Sequence, residues 1–320
     1  MRLAYTCSRL WRYLGVYFLK PFDALNDTVA SNILLQLDWP DEYIEIGSGD
    51  GLFSFILHRG TLPLAFDRYI QIDLAKSDIY DTHIGGRFPL TNPPKSPKLL
   101  TSIDASRAHA DKVSELGYSC LTLCSSYEDL PLPDNATEAI FYYIPHGLKD
   151  HSQAMHEARR VLAPGGRMLI LLYDSSVNNS FFCYKIGKSL KGRWRDFFLG
   201  LDNGRHDELT SLAKTQSEWV SYFAEHGFQV EDSRGGLSPN AWKLYDIQTR
   251  PVLKPLIRSF NFLPPQLRTL IKLMWMLAWY PILICCLALF GAKSKWRTQK
   301  TCFLAFQLGD ASERAFELAK

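Results

Sequence analysis

The chain has 320 residues, of which 47% are hydrophobic and 22% charged, a composition ordinary for a globular protein and long enough for one large domain with insertions or two small ones. Its net charge of +3 is unevenly spread: residues 247 to 309 contain no Asp or Glu but carry nine basic residues (Arg250, Lys254, Arg258, Arg268, Lys272, Lys293, Lys295, Arg297, Lys300), which leaves −6 for the rest. Such local basicity marks a surface that meets something anionic. Seven scattered cysteines, none in C-x-x-C spacing, exclude the usual zinc-ribbon patterns and fit a reducing compartment.

In chain order, residues 1 to 40 read as an amphipathic helical segment in which Arg2, Arg9, Arg12 and Lys20 mix with aromatic and aliphatic residues. No apolar run followed by a small-residue cleavage site is present in it, so no secretory signal is read. Residues 41 to 236 form the next unit. Within them, short β-rich runs alternate with helical segments, as βαβ units on a mostly parallel sheet require. Strands are predicted at 43–46, 99–103, 119–123, 138–143 and 167–173, with helices at 51–58, 106–116 and 150–162. The last helix is stopped by Ala163-Pro164-Gly165-Gly166. A helix at 217–226 and a strand at 228–232 follow. Residues 237 to 300 are a hydrophobic basic insertion, and 301 to 320 hold a final strand (301–308) and a tail. Three stretches, 60–98, 175–214 and 237–300, are too long for ordinary connections.

The chemistry is expected at the first strand end, Glu45-Ile46-Gly47-Ser48-Gly49-Asp50-Gly51. Glycines there let the backbone approach a ligand closely and tolerate positive φ. The turn lacks the full GxGxxG pattern of dinucleotide sites.

This turn resembles the first motif of the class I S-adenosylmethionine (SAM)-dependent methyltransferases. Glu157-Ala158-Arg159-Arg160-Val161-Leu162-Ala163-Pro164-Gly165-Gly166-Arg167 resembles a later motif, and Tyr127-Glu128-Asp129-Leu130-Pro131-Leu132-Pro133-Asp134 the stretch before the fourth strand. The likeness covers roughly residues 41 to 174. It implies an α/β, Rossmann-like sheet with helices on both faces, here with helical insertions, and SAM as cofactor. Glu45, Gly47, Ser48, Gly49 and Gly51 would shape the donor site. An acid ending the second strand would accept the ribose hydroxyls, with Asp104 and Asp73 competing; Asp104 has the strand-then-helix context, while Asp73 lies nearer the ~20-residue offset of nucleotide-binding sheets. Ser126 and Tyr127 stand where the family often has an acid near the adenine, and Ser126 could bond the adenine edge. His146, just after the fourth strand, is the candidate general base, and Tyr143 would line the pocket. Asp150, His151 and His156 match no strong zinc pattern, so no metal is expected.

Residues 273 to 291 carry no formal charge over 19 positions and are flanked by Lys272 and Lys293, with Trp275, Trp279 and Tyr280 inside. The length suffices for a bilayer, and aromatic anchors with basic flanks suit an interface. If 301–308 rejoins the sheet, a single crossing is excluded. Pro281 then suggests a bent, re-entrant or surface-lying helix pair at 270–291, attached to the cytoplasmic side of a membrane. The competing expectation is a buried cap. Nucleic acid fits poorly, because the bases bracket an apolar run instead of lining a polar groove. The expected function is therefore methylation of a lipid-linked or amphipathic acceptor at a membrane surface. The alternatives are methylation of a soluble small molecule or sugar under an apolar lid, and a catalytically silent membrane scaffold.

Overall fold

The computed structural model describes residues 2–36, 42–70, 72–76, 79–82, 99–143, 150–202, 205–290 and 303–310. The elements run α1 (Arg2–Val16), α2 (Pro21–Leu34), β1 (Tyr43–Ile46), α3 (Leu52–Leu57), β2 (Leu99–Asp104), α4 (Arg107–Leu116), β3 (Ser119–Cys124) and β4 (Thr137–Tyr143). They continue with α5 (His151–Val161), β5 (Leu162–Tyr173), α6 (Phe182–Ser189), α7 (Gly192–Asp202), α8 (Arg205–Leu212), α9 (Gln216–Glu225) and β6 (Phe228–Gly235). The C-terminal elements are α10 (Pro239–Ile247), α11 (Leu253–Asn261), α12 (Pro265–Phe290) and β7 (Phe303–Asp310).

The seven strands form one sheet in the order β3-β2-β1-β4-β5-β7-β6. All neighbours are parallel except β7, which runs antiparallel to both β5 and β6. The order reverses beside β1, where β2 lies on one side and β4 on the other. In open α/β sheets such a switch point leaves a crevice beyond the strand ends.

The central strands read as unbroken apolar runs because both faces are covered. Side-chain alternation sends Phe141, Leu169, Leu171 and Tyr173 into one core, with residues of α1, α2, α3 and α12. Ile140, Tyr142, Met168, Ile170 and Leu172 enter the other, against residues of α5 and α9. Each large apolar side chain buried in this way stabilises the fold by roughly 1.5–3 kcal/mol.

Helix ends are set locally. Pro21 opens α2, Ser106 caps α4 by accepting the His109 N–H, and Gly117 ends α4 in the left-handed region. Asp150 caps α5 through the N–H groups of Ser152 and Gln153, and Thr215 with Glu218 forms a capping box on α9.

One sequence expectation changes at this level. Pro281 does not divide the apolar run, because α12 continues through it as one 26-residue helix. The missing amide removes one hydrogen bond, while packing on both sides of the proline, Met276 and Leu283 among it, holds the axis. The N-terminal helices pack into the fold: nearly all of α2 is buried, and the rings of Trp11 and Phe22 meet Tyr280 and Trp279 of α12.

α12 is two-faced. Inward, Arg268 pairs with Asp67, Lys272 donates to the Phe66 carbonyl at 2.6 Å, and the Tyr280 hydroxyl donates to the Cys7 carbonyl at 3.1 Å. Outward, Leu267, Leu270, Met274, Leu277 and Ile282 are exposed, and Phe262 just before the helix is 88% exposed. Among the described residues this is the one helix long and apolar enough to cross a membrane by length and composition.

Candidate active site

The glycine turn leaves β1 at the switch point. Gly47, Gly49 and Gly51 have φ of +79°, +55° and +75°, the left-handed region that other L-residues avoid. A Cβ on Gly47 would stand 3.0 Å from the Tyr143 carbonyl, and one on Gly51 would stand 2.7 Å from Val113 Cγ2. At Gly49 it would meet nothing within 4 Å. The first and third glycines are thus demanded by the protein's own packing, while the second faces open space.

Asp104 ends β2 beside that space and is 5% exposed. One carboxylate oxygen accepts the Gly49 N–H at 2.8 Å and the Tyr127 hydroxyl at 3.2 Å; the other accepts the Ser106 N–H at 2.8 Å and lies 3.3 Å from His109 Nδ1. The turn and the end of β2 are therefore tied together before any ligand arrives. Ser48 Oγ is buried with no hydrogen-bond partner, so a polar group in the crevice would find a free hydroxyl.

Glu45 lines the same crevice, but its carboxylate accepts from Ser54 on α3 and from the Tyr118 hydroxyl at 3.2 Å. Burial raises its pKa to about 7, against the lowering effect of those two hydrogen bonds. Its contacts make it a brace between β1, α3 and the entry to β3. Asp50 is also buried; burial alone would raise its pKa, but Arg68, with Lys112 and His109, outweighs that and holds it below the ordinary value. Arg68 bonds Asp50 at 2.6 and 2.8 Å and is flanked by the rings of Tyr17, 4.6 Å away, and Tyr80, 3.8 Å away.

A single cavity of about 750 Å³ runs from this turn to the N-terminal and C-terminal helices, within the ~300–1,000 Å³ usual for small-molecule sites. Gly47, Ser48, Gly49, Asp104, Ser126 and Tyr127 line one part of it. Tyr17, Asp27, Tyr143, Tyr173, Arg205, Trp242 and Tyr245 line the other. Tyr143 sits between the two parts, its carbonyl against Gly47 and its hydroxyl donating to Asp27 at 3.2 Å.

Asp73 is placed differently from its rival Asp104. It belongs to no strand, its carboxylate accepts the Ala75 N–H at 2.9 Å, and it is not among the cavity-lining residues. His146 lies outside the described residues. Asp150 is occupied as the α5 cap, and among the described residues no cluster of His, Cys, Asp or Glu is arranged to hold a metal.

Sequence reading missed the polar face of α2 (Asp23, Asn26, Asp27) and the Arg68 arm from the segment after α3. The first had a signal, namely Asp23, Asn26 and Asp27 at i, i+3 and i+4 and so on one face of the helix. The second had none, since Arg68 is recognisable only once Tyr17, Asp50 and Tyr80 converge on it.

Residues 86–170 match the family model for a methyltransferase domain, a stretch that begins after the glycine turn and ends in β5. No curated protein matches the chain by sequence. Among solved structures it is similar to a SAM-dependent methyltransferase from Thermotoga maritima, at 13% identity over 92% of each chain with a TM-score of 0.46. It is also similar to the YcgJ protein of Bacillus subtilis, at 15% identity over 88% of this chain and 97% of the other, TM-score 0.42. A third is the geranyl diphosphate C-methyltransferase of Streptomyces coelicolor A3(2), at 12% identity over 88% and 76%, TM-score 0.44. Together with the strand order, the matched domain supports a class I SAM-dependent methyltransferase fold with SAM as its cofactor.

Proposed function

We propose that this enzyme methylates a small molecule held in the part of the cavity walled by α2, α10 and the ends of β4 and β5. One observation carries the reading: donor-side and acceptor-side residues line one continuous cavity, with Tyr143 between them. SAM supplies an electrophilic methyl group on a sulfonium, and the protein's task is then to hold an acceptor in line with it.

We assign Gly47, Ser48 and Gly49 to the methionine part of the donor, on the open space at Gly49 and the unpartnered Ser48 hydroxyl. Asp104 is assigned to the ribose, whose hydroxyls would take over the place of the Tyr127 phenol, and Ser126 and Tyr127 to the adenine side. Glu45 and Gly51 keep the turn in shape. Asp73 receives no role, because its carboxylate closes a local turn away from the cavity.

Calorimetry with S-adenosylhomocysteine, followed by transfer of labelled methyl from SAM into soluble, lipid and protein fractions of a cell extract, tests the reading. Micromolar binding with label in the soluble fraction is expected. No saturable binding at millimolar ligand, or label confined to protein, would overturn it.

A second reading, an amphipathic acceptor reached at a membrane surface, is favoured by the outer face of α12. Leu267, Leu270, Met274 and Leu277 recur at spacings of three and four, with exposed Lys254 and Arg258 on neighbouring α11. Sedimentation with vesicles containing anionic lipid should be reduced in a Leu270→Ser, Met274→Ser, Leu277→Ser variant; equal recovery of both proteins would dismiss it.

A further inference from the structure

The cavity contains more hydrogen-bond acceptors than donors at one place. Asp23, Asn26 and Asp27 lie on one face of α2, are 7%, 9% and 5% exposed, and all line the cavity. One carboxylate oxygen of Asp23 and the side-chain carbonyl of Asn26 have no partner. Asp27 accepts the phenols of Tyr143, at 3.2 Å, and Tyr17. Among the described residues it has no ion pair.

Of the cations nearby, Lys20 pairs with the other carboxylate oxygen of Asp23, while Arg68 is engaged with Asp50 and Arg205 with Glu208, so the free Asp23 oxygen, the Asn26 carbonyl and Asp27 are left without a full cationic partner. The ionisable groups facing Asp27 are Tyr13 on α1, Tyr17 just after it, Asp23 on α2, Tyr143 at the end of β4, and Arg68. The neighbouring cavity wall is aromatic, with Tyr173, Trp242 and Tyr245. A complementary ligand brings N–H donors and a positive charge and tolerates the faces of aromatic rings.

We propose that the acceptor is a primary or secondary alkylamine whose ammonium group sits against Asp23, Asn26 and Asp27, and that Asp27 takes its proton. The proposal rests on the reading of the glycine turn as the donor site. The amine, rather than the amino-acid end of SAM, is placed here because Tyr143 spans the distance: its carbonyl side meets Gly47 and its hydroxyl meets Asp27, so the length of a tyrosine separates Asp27 from the turn. In the step itself the ammonium gives one proton to the Asp27 carboxylate. The nitrogen lone pair then forms the N–C bond while the C–S bond breaks and its electron pair stays on sulfur as a neutral thioether. Burial, reinforced by Asp23, raises the Asp27 carboxyl to about 7, a range in which a carboxylate can accept a proton from a bound amine.

The test is a panel of primary alkyl- and arylalkylamines, each paired with the alcohol of the same skeleton, assayed for methyl transfer by the full chain and by Asp27→Asn. Calorimetric titration of S-adenosylhomocysteine into both proteins runs alongside. Amines are expected to be methylated and the alcohols not. Asp27→Asn should raise the KM for amines by about 10- to 100-fold, the loss expected when a charged hydrogen bond is removed. It should also abolish the acidic limb of the pH–rate profile, while leaving affinity for S-adenosylhomocysteine within about twofold of the wild type, an order-of-magnitude allowance for an unperturbed site. Asp27→Glu should restore part of the amine turnover, and Asp23→Asn should weaken amine binding independently. Equal use of alcohols, or no use of amines by a protein that binds S-adenosylhomocysteine, overturns the amine assignment alone. A loss of S-adenosylhomocysteine affinity in Asp27→Asn would give this face to the donor instead. Absence of that binding in the wild type would sink the donor reading and this proposal with it.

Discussion

Alanine at Gly49 and alanine at Gly51 should have opposite consequences for folding and for ligand binding. Both glycines have positive φ, so either substitution costs about 1–2 kcal/mol in backbone strain. At Gly51 the added methyl would also stand 2.7 Å from Val113 Cγ2 and 2.9 Å from the Tyr118 phenol oxygen. Overpacking of that kind adds about 1–3 kcal/mol, for a total near 2–5 kcal/mol. It also displaces the hydroxyl that bonds Glu45. At Gly49 the methyl meets no protein atom within 4 Å and projects into the cavity, so the folding cost stays near 1–2 kcal/mol while the donor loses its place. Urea denaturation of both variants, each with calorimetric titration of S-adenosylhomocysteine, separates the two effects. Gly49→Ala should fold and bind at least tenfold more weakly, a loss of about 1.4 kcal/mol or more. If Gly49→Ala bound like the wild type, or lost as much stability as Gly51→Ala, the division of labour within the turn would be wrong.

Glu45 gives a pH signature. Its folded pKa, near 7, exceeds the unfolded value of 4.5, so its contribution to stability is complete below pH 4.5 and is lost as pH rises through 7, by up to about 3 kcal/mol. Glu45→Gln should remove that part of the decline, and chemical denaturation at pH 5, 6, 7 and 8 would show an unchanged slope if the carboxyl were not the cause. Arg268→Ala leaves the half-buried Asp67 without its ion-pair partner, with Lys272 as the remaining nearby cation, and destabilisation of about 1–3 kcal/mol, below the roughly 3–5 kcal/mol of a fully buried pair, is expected in thermal unfolding. A loss below ~0.5 kcal/mol, the scale of an ordinary surface change, would mean that this pair behaves as if exposed.

The sheet was legible because its strands carry their burial in their composition. Glu138 to Tyr143 and Arg167 to Tyr173 are almost continuously apolar, as strands covered on both faces must be. The start of β5 was less clear, since the strand begins at Leu162 and incorporates the Pro-Gly-Gly stretch that looked like a pure breaker. The turn was legible for a local reason: three glycines in five residues after a strand have few other uses. What stayed hidden was long-range. Asp27 is 116 residues from Tyr143, and Arg268 is 201 residues from Asp67. No local periodicity encodes such pairs. Pro281 misled because its usual effect is local, whereas tertiary packing decides whether a helix survives it.

The inward face of α12 has a consequence for coupling. Arg268 and Lys272 grip Asp67 and the Phe66 carbonyl, the next residue in the chain is Arg68, and Arg68 holds Asp50 inside the glycine turn. Three residues of backbone, Phe66 to Arg68, thus join the contacts of the helix to those of the turn. Linkage makes such a connection reciprocal. If occupancy of the turn stiffens the Arg68 arm, it alters the affinity of the outer face of α12 for whatever covers it by the same factor that the covering alters affinity at the turn.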